Sequence, residues 1–286
     1  MNKLMVTLLC GISLATTLNL HADEHTAGAE LKPKIGIQLY SLRNQIKQDT
    51  DLAFKQIHDW RIGTVEGGRD LNGLTIDGYK SLLKRHDLKL VSVDTSYEEL
   101  RDAPIAAVYK ARFYDSKFAT FYWIPHDESG EFTIEQAKAS VEVLNQAGKL
   151  LKQHGIVLQY HAHGYEFSPY QNGTVFDYMV KNTQYAQFQM DVFWIANAGV
   201  DPVRLLQKYP GRFSSLHLKD RAEGTVAYEN GLADPESNVA LGKGNIDIKE
   251  IVEEAKKQGI EYIFLEDESS RVMSQIPESL TFYNNL

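Results

Sequence analysis

Several histidines and carboxylates of this sequence close runs of apolar residues, where a buried charge has to be met by something. His161 and His163 are two residues apart, so on an extended strand they share one side. Asp191, His217 and Glu266 each follow an apolar run of their own. A carboxylate left alone there would be costly to bury. Several converging together would repel one another unless protons or a cation intervened. A divalent ion with mixed imidazole and carboxylate ligands resolves both difficulties. Such a donor set suits Mn²⁺, Mg²⁺, Fe²⁺ or Zn²⁺ without selecting among them. His161, His163, Asp191, His217 and Glu266 are therefore the metal-ligand candidates. One such residue alone is more often a helix cap or an ion-pair partner; five on four strands favour the ion.

The same run ends carry further polar groups: Glu66, Asp94, Tyr160, Glu166, Lys219, Asp220, Asp267 and Glu268. Lys219 and Asp220 suit an ion pair or a loop anchor equally well, and Asp267 and Glu268 read as solvated loop charges. Tyr40, Tyr122, Trp123, Tyr165, Phe193 and Trp194 lie nearby. Sugar rings stack their C–H faces on such rings, but barrel cores use aromatics too, so only their company with the acids is suggestive. Tyr40, Glu66, Trp194 and Lys219 are the substrate-contact candidates.

These residues need elements to hold them. Short apolar runs recur at 35–39, 64–66, 88–93, 118–124, 156–160, 188–191, 214–218 and 262–266. Each is apolar for most of its length and polar at its C-terminal end, the pattern of a buried parallel strand. Helical spacing separates them. From Glu135 to Gln153, residues Ala137, Val141, Leu144, Ala147 and Leu151 step by three or four and form one face, with Gly155 as a stop. Asp201-Pro202 opens another helix, and Asp247 with Glu250 resembles a capping box. Eight strand–helix units predict a single (β/α)8 barrel over residues 34–286, whose site lies at the C-terminal ends of the strands. A doubly wound sheet is disfavoured because no glycine-rich phosphate loop follows the first strand. The longest irregular stretch, Arg221 to Gly244, is expected to be a functional loop.

The chain has 286 residues and a net charge of −8, so a phosphate-tracking role on nucleic acid is disfavoured. Its start is basic at Lys3, mostly apolar from Leu4 to Leu20, and ends in Leu20-His21-Ala22. That order predicts a secretory signal peptide over residues 1–22, followed by a polar leader over 23–33. Cleavage removes Cys10, the single cysteine, and leaves a periplasmic or secreted protein with no membrane attachment and no thiol. A core of this size needs no disulfide.

The runs Gly36-Ile37-Gln38-Leu39-Tyr40-Ser41-Leu42-Arg43 and Tyr160-His161-Ala162-His163-Gly164-Tyr165-Glu166-Phe167 carry a wider resemblance. Met190-Asp191-Val192-Phe193-Trp194, Gly199-Val200-Asp201-Pro202, His217-Leu218-Lys219-Asp220 and Leu241-Gly242-Lys243-Gly244-Asn245-Ile246 follow in order. Together, from Lys34 to Glu268, the chain resembles the sugar phosphate isomerase/epimerase family of xylose isomerase-like TIM barrels. The resemblance implies one divalent ion at the barrel mouth, Mn²⁺ first and Mg²⁺, Fe²⁺, Zn²⁺ or Co²⁺ otherwise. Asp191, His217 and Glu266 match three ligand positions. Many relatives have a strand-five Glu where this chain offers His161 or His163. Glu166 matches a position that contacts substrate or moves protons, which makes Glu166 and Glu266 the acid–base candidates. Apurinic endonucleases of the superfamily carry an Asp-x-His pair where this chain has Glu236-Ser237-Asn238, and a His where it has Trp194, so the nuclease reading falls away.

The expected function is a metal-dependent isomerase or epimerase, or a keto-glycoside lyase, working through an enediolate on an unphosphorylated keto-sugar. The alternative from another class is a non-catalytic periplasmic sugar-binding barrel. Which sugar, and which oligomeric state, are not legible.

Overall fold

The computed structural model describes residues 31–68, 72–126, 131–228 and 230–286. The expected signal peptide and residues 23–30 of the polar leader lie outside the described residues. Eight parallel strands close into a barrel in sequence order: β1 Lys34–Gln38, β2 Thr64–Glu66, β3 Lys89–Thr95, β4 Phe118–Phe121, β5 Val157–His161, β6 Gln187–Asp191, β7 Phe213–Leu218 and β8 Tyr262–Leu265. β8 returns to pair with β1, for example Ile35 opposite Ile263. No described helix is long and apolar enough to cross a membrane.

The connections carry the helices, and their ends follow local chemistry. Thr133 and Gln136 form a capping box that starts the 20-residue helix Ile134–Gln153. His154 ends it and Gly155, at φ +74°, turns the chain back toward β5. Asp201 caps Pro202–Lys208, with Pro in the first turn, and Asp247 caps Ile248–Lys257. The segment after β7 is less irregular than expected. Asp220–Arg221 pairs antiparallel with Asn238–Val239, preceded by a short turn of helix at Pro235–Ser237.

Apolar side chains fill the space between strands and helices, as they must in a barrel wrapped on its outside. Inside, the bore divides in two. A small cluster of Val91, Phe118, Tyr262 and Phe264 plugs the lower end, near where β4 and β8 begin. Above it the lining is polar and fully buried: Ser92, Thr120, Gln159, Gln189, Ser215 and Glu66. These groups satisfy one another. Ser92 bonds Thr120, Gln159 Nε2 donates to Thr120 Oγ1 at 2.8 Å, and Ser215 Oγ donates to Gln159 Oε1 at 3.0 Å. Gln189 Nε2 then donates to Ser215 Oγ at 2.9 Å and to Glu66 Oε2 at 2.8 Å. A bore of unpaired polar groups would destabilise the barrel; this one is a continuous hydrogen-bonded chain that rigidifies the floor of the site.

Candidate metal centre and substrate cavity

β5, β6 and β7 end in His161, Asp191 and His217 respectively or one residue short of the end, and register places the three side by side. Asp191 is opposite His217 across the β6–β7 pairing, and His161 is opposite Gln189 across β5–β6. One ligand atom from each of His161, Asp191 and His217 lies within 4.8 Å of the others, and all three residues are buried. Asp191 Oδ2 stands 3.8 Å from His161 Nε2 and 3.8 Å from His217 Nδ1. Donors bound at about 2.1 Å to a shared ion are about 3.0–3.4 Å apart, so the two Asp191 contacts need to shorten by about 0.4–0.8 Å.

Asp191 divides its labour. Oδ1 accepts from the Phe193 and Trp194 amides, at 2.8 and 3.1 Å, and caps the helix Val192–Asn197. Oδ2 is buried and has no hydrogen-bond partner, which is a costly state for a carboxylate oxygen unless a cation takes it. Burial raises the Asp191 carboxyl to about 6, with Lys219 opposing and Glu266 adding to the rise. The residues present therefore fit a divalent ion: two imidazole nitrogens and an orphaned carboxylate oxygen meet in one buried place. Glu266, just past β8, completes the surround, with Oε2 at 2.7 Å from His217 Nδ1.

The two strand-five histidines lie with ring centroids 4.6 Å apart, yet of the two only His161 offers a ring nitrogen to the cluster with Asp191 and His217. His161 joins the cluster; burial holds its imidazole well below the ordinary value, so it is neutral and a competent donor. His163 does not. Its ring lies 5.8 Å from Trp194 and 5.4 Å from Trp123, parallel to Tyr165, on the cavity wall. Burial lowers it to about 3. His217 behaves in the opposite way. Burial alone would lower it, but Glu66 and Glu266 on either side raise it to about 10. Burial would raise Glu266, yet the Lys219 charge and the His217 hydrogen bond hold it far below the carboxylate range.

Beside the cluster opens a cavity of about 530 Å³, within the range of small-molecule sites. His161, His217, Glu266 and Gln38 form its floor. Tyr122, Asp94, His163, Glu268, Tyr40, Trp123, Trp194 and the segment Gly231–Ala233 form its walls. Of the four expected substrate contacts, Tyr40 and Trp194 line this space; Glu66 and Lys219 do not. Glu66 is fully buried beneath the floor. Lys219 is buried behind the wall, paired with Glu268 and 5.1 Å from both the Phe193 and Trp194 rings.

Glu166 is the clearest correction. It is buried, bonded to the Tyr160 hydroxyl, and accepts from the His163 and Gly164 amides at 3.2 and 2.8 Å. Both oxygens are committed to holding the turn after β5, and the residue does not line the cavity. Its carboxyl, raised by burial to about 6, reports that confinement. Asp267 and Glu268 are not solvated loop charges either. Asp267 is buried and accepts from the Ser269 amide and Gln275 Nε2, and Glu268 reaches the Lys219 ammonium. Asp220 is a loop anchor, accepting from the Arg221, Gly242, Gly244 and Ile246 amides. Gln38 and Gln189 are site residues that sequence reasoning misses, because a glutamine inside an apolar run gives no signal until register shows what it faces.

Among proteins of curated function, none matches the chain in sequence. Solved structures share its fold at low identity. A sugar phosphate isomerase/epimerase from Parabacteroides distasonis superposes with a TM-score of 0.71 at 22% identity, over 87% of this chain and 96% of that one. A probable 3-DHS dehydratase of petrobactin synthesis from Bacillus anthracis gives 0.69 at 14%, over 88% and 99%. IolI, solved with a bound zinc atom, gives 0.65 at 14%, over 88% and 95%. Residues 54–286 match the family model described as xylose isomerase-like TIM barrel. With the closed eight-stranded barrel described above, that match places the chain in the xylose isomerase-like TIM barrel family.

Proposed function

We propose that this protein is an exported, divalent-metal-dependent isomerase or epimerase of unphosphorylated keto-sugars, with β-elimination from a keto-glycoside as a further outcome of the same chemistry. The observation that carries it is the convergence of His161 Nε2 and His217 Nδ1 on the orphaned Asp191 Oδ2, with both histidines lining a cavity of about 530 Å³. The zinc of IolI and the sugar isomerases and dehydratase among the structural neighbours support the reading. Export rests on the sequence of residues 1–22.

The metal would be held by His161, Asp191, His217 and Glu266. Two imidazoles in that set favour Zn²⁺ or Fe²⁺ over Mg²⁺ or Mn²⁺. When bound, such an ion supplies a Lewis acid that polarises a sugar carbonyl and acidifies the neighbouring C–H. With Glu266 against His217 and Glu166 withdrawn, Asp94 and Glu268 are the wall carboxylates placed to take the proton. The buried Lys219 ammonium holds Glu268 in place. Tyr40, Trp123 and Trp194 offer faces to the sugar ring. Return of the proton to the same carbon on the other face epimerises, return to the adjacent carbon isomerises, and loss of a β-substituent cleaves.

The test is metal content together with solvent deuterium exchange into a panel of keto-sugars and 3-keto-glycosides. Stoichiometric metal with deuterium at the carbon beside the carbonyl is expected. Metal with no exchange across the panel points instead to a sugar-binding barrel, and no metal at all defeats the metal-dependent reading.

A further inference from the structure

Glu66 has no access to a sugar, yet it is the acceptor on which the floor of the site converges. Its Oε1 accepts from Gln38 Nε2 at 3.1 Å and from His217 Nε2, and its Oε2 accepts from Gln189 Nε2 at 2.8 Å. A carboxylate has only lone pairs to offer, so the proton between Glu66 and His217 belongs to Nε2. Nδ1 is then the nitrogen that loses its proton to a metal, and Nδ1 is the atom facing Asp191 and Glu266. The same carboxylate also turns the Gln189 amide. With Nε2 donating to Glu66 and Ser215, Gln189 Oε1 faces His161 Nδ1 at 2.9 Å. An amide oxygen only accepts, so His161 carries its proton on Nδ1 and leaves the Nε2 lone pair toward Asp191 Oδ2.

We infer that Glu66 is a positioning residue that sets the tautomers of both imidazole ligands, directly for His217 and through the Gln189 amide for His161. This rests on the metal reading above. It explains why a carboxylate is retained in the bore among neutral amides and hydroxyls.

The isosteric amide discriminates this role from packing. In Glu66→Gln the new side chain has one oxygen and one NH₂. If the oxygen faces His217, the NH₂ faces Gln189, which must flip and present its own NH₂ to His161 Nδ1; the lone pair then moves to the wrong nitrogen. If the NH₂ faces His217, that imidazole takes the wrong tautomer instead. Neither orientation serves both ligands. The double exchange, Glu66→Gln together with Gln189→Glu, does serve both. The amide now at position 66 accepts from His217 and donates to the carboxylate now at position 189. That carboxylate in turn accepts from His161, and the total charge is unchanged.

The experiment measures Zn²⁺ affinity of the full-length protein by competition with a chromophoric chelator, with far-UV circular dichroism and thermal unfolding of the metal-free forms as the check on folding. E66Q is expected to fold and to bind Zn²⁺ roughly 10–100-fold more weakly, and the exchanged pair to recover most of that loss. Wild-type affinity in E66Q overturns the inference, and so does an exchanged pair that folds and binds no better than E66Q. Absence of stoichiometric Zn²⁺ in the wild type sinks the metal reading itself, a separate failure.

Discussion

At the scale of the residue, Asp191 shows how one side chain serves structure and chemistry with different atoms. Asp191→Asn keeps an oxygen for the Phe193 and Trp194 amides and removes the charge. It should lose stoichiometric Zn²⁺ while the metal-free protein unfolds at about the wild-type temperature. Asp191→Ala should lose the metal as well and cost a further ~1 kcal/mol, the worth of a helix cap. Zinc titration and urea unfolding of the two variants separate the roles, and stoichiometric zinc retained by either removes Asp191 from the site. Residue type and spacing made Asp191, His217, Glu266 and the His161/His163 pair legible in the sequence, because each closes an apolar run. They did not distinguish His161 from His163, which share a side of the chain until the strand ends and the turn at Gly164 carries His163 to the wall. Glu166 misleads for a different reason: it matches a family position that contacts substrate or moves protons, and only the turn geometry shows both oxygens occupied by amides.

Among the elements, all eight strands were readable from apolar runs, since a strand covered by helices on one side and by a filled bore on the other shows little alternation. What lay hidden was the polar layer within them. Ser92, Thr120, Gln159 and Gln189 interrupt the runs singly, and only closure of the barrel brings them into one hydrogen-bonded chain. The segment after β7 was legible as long but not as tethered. Asp220 gathers four of its amides, and Gly244 comes so near that a Cβ would stand 2.3 Å from the Arg221 carbonyl oxygen. Asp220→Ala strands those amides and should destabilise by about 2–4 kcal/mol in urea unfolding. Because Gly231–Ala233 of the same segment lines the cavity, KM should rise more than kcat falls. An unchanged KM would detach this loop from substrate binding.

For the whole molecule, an exposed cluster of charges joins separate elements at the N-terminal end of the barrel. Glu261, just before β8, reaches Lys117 beside β4 and Lys34 at the start of β1. The Lys117 hydrogen bond, against the opposing effect of burial and with help from Lys34, lowers the Glu261 carboxyl to about 2. A depressed carboxyl contributes stability that is present above the unfolded value near 4.5 and is lost as pH falls toward about 2. The groups are well exposed, so screening limits the effect to about 0.5–1 kcal/mol at neutral pH. Glu261→Gln should show that deficit in urea unfolding at pH 7, a smaller one as the pH drops below about 4.5, and a smaller one again in high salt. A deficit that does not depend on pH would assign it to packing.

The division of the cavity into a bore and a rim has its own implication. His161, Asp191 and His217 are rooted in strands and locked to one another, while Tyr40, Trp123 and Leu232 stand half out of the protein on connecting segments. Sequence drift at that outer collar can retune which molecule is admitted without disturbing how it is transformed, so two chains with the same inner framework need not share a diet.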